Sequence, residues 1–245
     1  MEERHQFLRF GLFVTGEGER EHLPKLFVSL AETRACHFEV VRKVEQLSPR
    51  RERSKNLKLA GLPTRDEELG LAVRGYLSRG PDHFALVVDD LEFDRRDVER
   101  ETFGRYRQAL DTVLSDTQRD RASVHFLVYM LEAYYFAHAD ATNTALDLSP
   151  GIEDFVGDVE TIRHPKNELK KIAPNFRERS AAQAVLELLD VRYVLSNEAT
   201  CTGLRTMFVW CLEKLMQFGP DWVPEFSPEV YRRTDGRLRD STRGQ

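Results

Sequence analysis

Apolar positions along this chain follow two patterns. Short apolar runs at Phe7–Val14, Phe84–Asp90 and Ser123–Tyr129 read as buried strands, and His37–Val44 reads as another. Between them, apolar positions recur every three or four residues, the period of a helix with one buried face. Leu23, Leu26, Phe27 and Leu30 predict a helix over Glu21–Thr33, with Pro24 tolerated in its first turn. Thr64, with Glu67 three residues on, predicts a capped helix running to Ser78, where Arg79-Gly80-Pro81 ends it. Phe103, Tyr106, Leu110 and Val113 form one stripe of a helix over Val98–Leu114. Strand and helix alternate over residues 1–140, which predicts βαβ units and an α/β core with a mainly parallel sheet flanked by helices.

Beyond Asp140 the alternation stops. Residues 140–158 read as loop, and Asn167–Ile172, Ser180–Leu186 and Ala199–Met216 as helices, with no second strand series. Residues 141–230 are therefore expected to form a helical C-terminal extension packed on the core. Residues 231–245, charged and Gly-containing, are expected to be a disordered tail.

Composition narrows the class. A chain of 245 residues fits one elaborated domain, or one domain with a smaller appendage, and 41% hydrophobic with 31% charged residues is ordinary for a soluble protein. No apolar run reaches the length of a membrane span. The start, Met-Glu-Glu-Arg-His, lacks the features of a signal peptide. Cys36, Cys201 and Cys211 lack metal-type spacing, so reduced thiols in a cytoplasmic protein are expected, with Cys201 and Cys211 as packing residues. The net charge of −5 argues against a generally basic nucleic-acid binder. The stretch from Arg42 to Lys58 nevertheless carries seven basic residues against Glu45 and Glu52. Arg50, Arg51, Arg53 and Lys55 there suit a phosphate backbone or a solvated loop.

Two acidic clusters carry the candidate chemistry. Gly16-Glu17-Gly18-Glu19-Arg20-Glu21 follows the first strand, and Asp89-Asp90-Leu91-Glu92 follows Phe84–Val88. In a parallel sheet these strand ends line one crevice, where ligands bind. Oxygen-rich clusters suit Mg2+ or Mn2+. Strand parity puts Asp90 and Glu92 on one side and Asp89 with Leu91 on the other, provided the strand runs that far. The glycines at 16 and 18 are expected to allow unusual backbone angles in the first turn. Asp94-Arg95-Arg96 reads as a solvated helix start. The competing reading of the second cluster is an acidic turn without metal. His125 reads as a core histidine, and His138 and His164 lack zinc spacing. There is no Walker loop, nucleophile elbow or dinucleotide fingerprint.

Glu17-Gly18-x-x-Glu21 and Asp90-Leu91-Glu92 resemble the two acidic motifs of the Toprim fold. That fold is shared by topoisomerases, bacterial primases and the overcoming-lysogenization-defect (OLD) nucleases. It has a Glu after its first strand and an Asp-x-Asp after a later one. Here Glu92 replaces the second Asp, and the alternative register, Asp89-Asp90-Leu91, lacks the second acid. The segment His125–Tyr134 is similar to that preceding a Glu-Ala-Trp/Tyr signature in a branch of small prokaryotic Toprim-like proteins of unassigned function. His164–Lys171 is similar to that branch's Pro-Lys-x-x-Leu element, and the similarity spans Phe10 to Leu215.

The resemblance implies a metal-dependent nuclease centre acting on DNA or RNA. Glu17 would ligate metal or act as general base, and Asp89 or Asp90 with Glu92 would hold Mg2+ or Mn2+. Glu21 would hold a second ion or order the ligands, Lys166 would neutralise phosphate charge, and Glu132 is a further site candidate. The plain alternatives are a surface position for Lys166 and a core-edge carboxylate for Glu132, paired with Arg or Lys. The resemblance also implies a separate ATPase subunit and a role in prokaryotic defence. The competing functions are a non-catalytic nucleic-acid-binding or complex-forming subunit, and a small-nucleotide hydrolase.

Overall fold

The computed structural model describes residues 7–47, 63–219 and 236–245. Four strands, β1 (Leu8–Val14), β2 (Cys36–Lys43), β3 (His83–Leu91) and β4 (Ala122–Val128), form one all-parallel sheet in the order β2-β1-β3-β4. The chain steps outward from β1 to β2, crosses back to β3 on the other side of β1, and continues to β4. The connections thus reverse direction between β1 and β3, which opens a crevice at the carboxyl ends of those two strands. Their register, Phe10 beside Phe84 and Val14 beside Val88, brings Thr15 level with Asp89.

Both faces of the sheet are covered, which explains why β3 and β4 are buried along nearly their whole length. On one face, Phe10, Leu12, Phe84, Leu86 and Val88 pack under Leu23, Phe27 and a C-terminal helix, Thr202–Phe218. Trp210 of that helix meets Phe10 and Phe84 edge-on at centroid distances of 6.3 and 6.2 Å. The C-terminal helices therefore complete the same core as the strands. On the other face, Phe13, Val87, Leu91, Val124 and Phe126 pack under helices Arg65–Leu77 and Glu99–Asp111. The first of these carries the expected capping box between Thr64 and Glu67.

The largest local departures from expectation have simple causes. The segment after β1 is not one helix. It is a helix over Glu17–His22, a 3-10 turn over Leu23–Phe27 and a second helix over Val28–Glu32. Pro24 has no N–H to donate, so the regular ladder stops there. A helix over Ala139–Leu146 overlaps the start of the stretch read as loop, and Val191–Ser196 adds a short helix.

Residues 236–245 are not a disordered tail. Arg239 pairs with Glu99 (2.8 Å) and Glu160 (3.2 Å), and Thr242 is only 2% exposed. The Gln245 side chain accepts from the Val124 N–H (2.9 Å) and donates to the Val124 carbonyl (2.8 Å) on the outer edge of β4. Charge and glycine content suggested fraying, but the buried Glu160 and half-buried Glu99 pair with Arg239 and hold the segment down.

Candidate functional site

Thr15 joins the two strand ends at the crevice. Its hydroxyl donates to Asp89 Oδ1 (2.9 Å) and accepts from the Asp90 N–H (3.3 Å). β3 runs through Leu91, so its side chains alternate across both acidic residues. Leu91 is buried beneath the helices of the far face, while Asp90 and Glu92 line a cavity of about 700 Å3 on the near side.

Asp89 faces away from that cavity. It is 0% exposed and receives a forked hydrogen bond from Arg95 (2.7 and 3.3 Å), with further donors from Gln46 (2.9 Å) and Thr15. Arg95 also donates to the carbonyls of Asp90 (3.0 Å) and Leu47 (3.4 Å). The expectation of a solvated Asp94-Arg95-Arg96 start therefore fails at Arg95, which is buried. A buried carboxylate needs a charged partner, and Arg95 supplies it within the same strand-to-helix turn. Asp89 thus ties the turn together, with its oxygens already satisfied.

Asp90 sits in the opposite environment. Its Oδ1 is buried without a hydrogen-bond partner. Burial, and then the neighbouring charges of Glu19, Asp89, Glu132 and Glu92, hold its carboxyl well above the usual carboxylate range. Glu19 comes from the helix after β1, and Glu132 from the 3-10 turn Leu131–Ala137 after β4. Each is only 5% exposed. The chain reaches Glu132 through Tyr129 (φ 30°) and Met130 (φ 93°), both in a region that non-glycine residues rarely adopt. Lys166, in the first turn of helix Pro165–Ile172, places Nζ 3.5 Å from Glu132 Oε1. Glu132 is thus both a cavity residue and a partner of lysine.

Glu17 and Glu21 also border the cavity. Glu17 lies at the rim with its side chain 56% exposed, bonded to Lys43 (2.6 Å) and Arg20 (2.9 Å). Glu21 lies 3.8 Å from His22. The carboxylate from the first motif that enters the buried part of the site is Glu19, which sequence reasoning passed over. Its signal was the spacing to Gly16, one helical turn earlier. A Cβ at residue 16 would stand 1.7 Å from Glu19 Oε2. Gly16 has an ordinary extended backbone (φ −104°), and Gly18 sits within the helix. The expected role of these glycines as carriers of unusual angles is therefore incorrect; Gly16 supplies space.

Among the described residues, no three His, Cys, Asp or Glu side chains are arranged closely enough to hold a metal ion as they stand. Arg50, Arg51, Arg53 and Lys55 lie outside the described residues. His125 is buried against Ser123 (3.0 Å) with its pKa pushed down to about 3 by burial. Cys36, Cys201 and Cys211 are buried and reduced. No described helix is long and apolar enough to cross a membrane.

Comparisons with protein-family models, curated proteins and solved structures return no match to this chain. The fold and site together define an α/β protein with a parallel four-stranded sheet and an acidic, lysine-bearing cavity at its topological switch point.

Proposed function

We propose that this chain is a divalent-metal-dependent nuclease, a hydrolase of DNA or RNA phosphodiesters on a Toprim-like core related to the OLD nucleases. The observation that supports it most is the gathering of Glu19, Asp90, Glu92 and Glu132 around one cavity, with the buried Asp90 Oδ1 lacking a hydrogen-bond partner. Crowded carboxylates repel one another, and a cation relieves that repulsion. The donors are hard oxygens, which fit Mg2+ or Mn2+. Asp90, Glu19 and Glu132 would hold the ion, with Glu92 at the mouth. Once bound, it would supply Lewis acidity and lower the pKa of a water nucleophile.

The chain's own groups do the rest. Glu132 holds the Lys166 ammonium at the cavity wall, where it offsets charge on a phosphate. Asp89 and Arg95 keep the strand end rigid, so that Asp90 presents its carboxylate in a fixed direction. Glu17 enters the site only by leaving Lys43, and Glu21 orders the rim beside His22. The OLD resemblance adds a separate ATPase subunit as partner and a cytoplasmic role in prokaryotic defence.

A second reading is a non-catalytic nucleic-acid-binding or complex-forming subunit. It is favoured by the absence, among the described residues, of three acids already arranged for a metal. Supercoiled plasmid and single-stranded RNA, incubated with Mg2+, Mn2+ or EDTA, distinguish the two. Metal-dependent cutting by the wild type that Asp90→Asn abolishes is the expected result. Equal cutting by the variant rejects Asp90 as the metal site, and no cutting by the wild type in either metal rejects a nuclease active without its ATPase partner. Nucleic-acid binding that survives Asp90→Asn in a chain that never cuts supports the second reading.

A further inference from the structure

Three segments each place one residue in the cavity wall and, one or two positions away, one ring in a cluster beside it. Glu92 is followed by Phe93, Met130 is preceded by Tyr129, and Lys166 is preceded at two positions by His164. Phe93 is the centre of the cluster. Tyr129 and His164 meet it edge-on at 5.2 and 5.7 Å. The guanidinium carbons of Arg96 and Arg163 lie over its ring at 4.0 and 5.1 Å. Phe93 belongs to neither hydrophobic core of the sheet. It is half-buried, while Arg96, Arg163 and His164 are exposed. Arg96 also faces Asp97 at 3.4 Å. Beyond it, Arg96, Arg100, Arg237 and Arg239 share the lining of a second cavity of about 520 Å3 with four carboxylates.

From this geometry we infer that the Phe93 cluster is a stacking platform for an unpaired base, and that the strand reaching the acidic cavity is single-stranded nucleic acid. The inference rests on the nuclease reading for the strand's course into the cavity. Aromatic rings and guanidinium planes both accept the face of an exposed base. A guanidinium displaced from the ring by a base remains beside it to meet the flanking phosphate. A duplex keeps its base faces stacked internally and offers the ring nothing. The platform stands one residue from Glu92, so a stacked base would place its neighbouring phosphodiester at the cavity mouth.

The test is binding of labelled single-stranded DNA and RNA, and of the same sequence as duplex, to the full chain in EDTA, followed by fluorescence anisotropy. Phe93→Ala should weaken single-strand binding roughly tenfold or more, the loss of one base–aromatic stack. Phe93→Trp should retain it, and circular dichroism checks that both variants fold. Arg163→Gln should make the dependence of log K on log salt shallower by about 0.7, the loss of one phosphate contact on a single strand. Equal single-strand affinity in Phe93→Ala and wild type overturns the platform, as does tighter binding of duplex or no binding of either. EDTA separates this test from the nuclease itself. Strand binding without any metal-dependent cutting rejects only the nuclease, whereas cutting that is indifferent to Phe93→Ala rejects only the platform.

Discussion

The carboxylate of Glu19 occupies the place where a side chain at residue 16 would stand. An added Cβ there would lie 1.7 Å from Glu19 Oε2 and 2.8 Å from its Cδ. Glycine at 16 is therefore a steric condition for an acid inside the crevice.

Gly16→Ala should push the Glu19 carboxylate out of its site. The clash is with the far end of a flexible side chain, so moving the carboxylate relieves it and the thermal midpoint should change little. Mn2+ affinity, read by calorimetry, should fall as far as it does in Glu19→Gln. Unchanged Mn2+ affinity in both variants would remove Glu19 from the site.

Asp90→Asn should stabilise the metal-free protein at neutral pH. The folded chain holds this proton more tightly than the unfolded one, because the carboxyl sits well above its ordinary 3.8. Its contribution is therefore fully present in acid and is lost as pH rises through the folded value. Urea unfolding at acidic and neutral pH should show a gain from the substitution that grows with pH. A gain independent of pH would contradict the placement of Asp90 among like charges.

Arg95→Ala should be among the most damaging single changes in the sheet. It strands the fully buried Asp89, and breaking a buried pair from one side costs roughly 3–5 kcal/mol. A shift in urea midpoint near zero would mean that Gln46 and Thr15 alone satisfy the carboxylate.

Glu160 should give the C-terminal packing its own pH dependence. Burial and the charge of Asp158 push its pKa from 4.5 up to about 7, against the lowering by Arg239 and the Gly203 and Leu204 N–H groups. The associated stability is present below about 4.5 and is lost as pH rises through about 7. Glu160→Gln should flatten the thermal midpoint between pH 5 and 8, as ~1 charge ceases to titrate. A slope equal to wild type would place that titration elsewhere.

The parallel core and its acidic strand ends were legible because each depends on a local pattern. The run from Phe84 to Val88 announces a strand buried on both faces, and parity along it separates Asp89 from Asp90. What stayed hidden depends on distant partners. Nothing local marks Arg95 as the buried partner of Asp89, or Arg239 as the link to Glu99 and Glu160, 140 and 79 residues away. Glu19 was obscured differently. Three glutamates share one short helix, and only the packed position of its axis decides which of them turns inward.

Gln245 occupies one pairing position on the outer edge of β4. Its side-chain amide offers Val124 one acceptor and one donor, as the backbone of a fifth strand would. An uncovered edge is a template on which a second chain can add, the route to intermolecular sheets and insoluble protein. At Val124 a primary amide already takes up the N–H and the carbonyl that an adding strand would need.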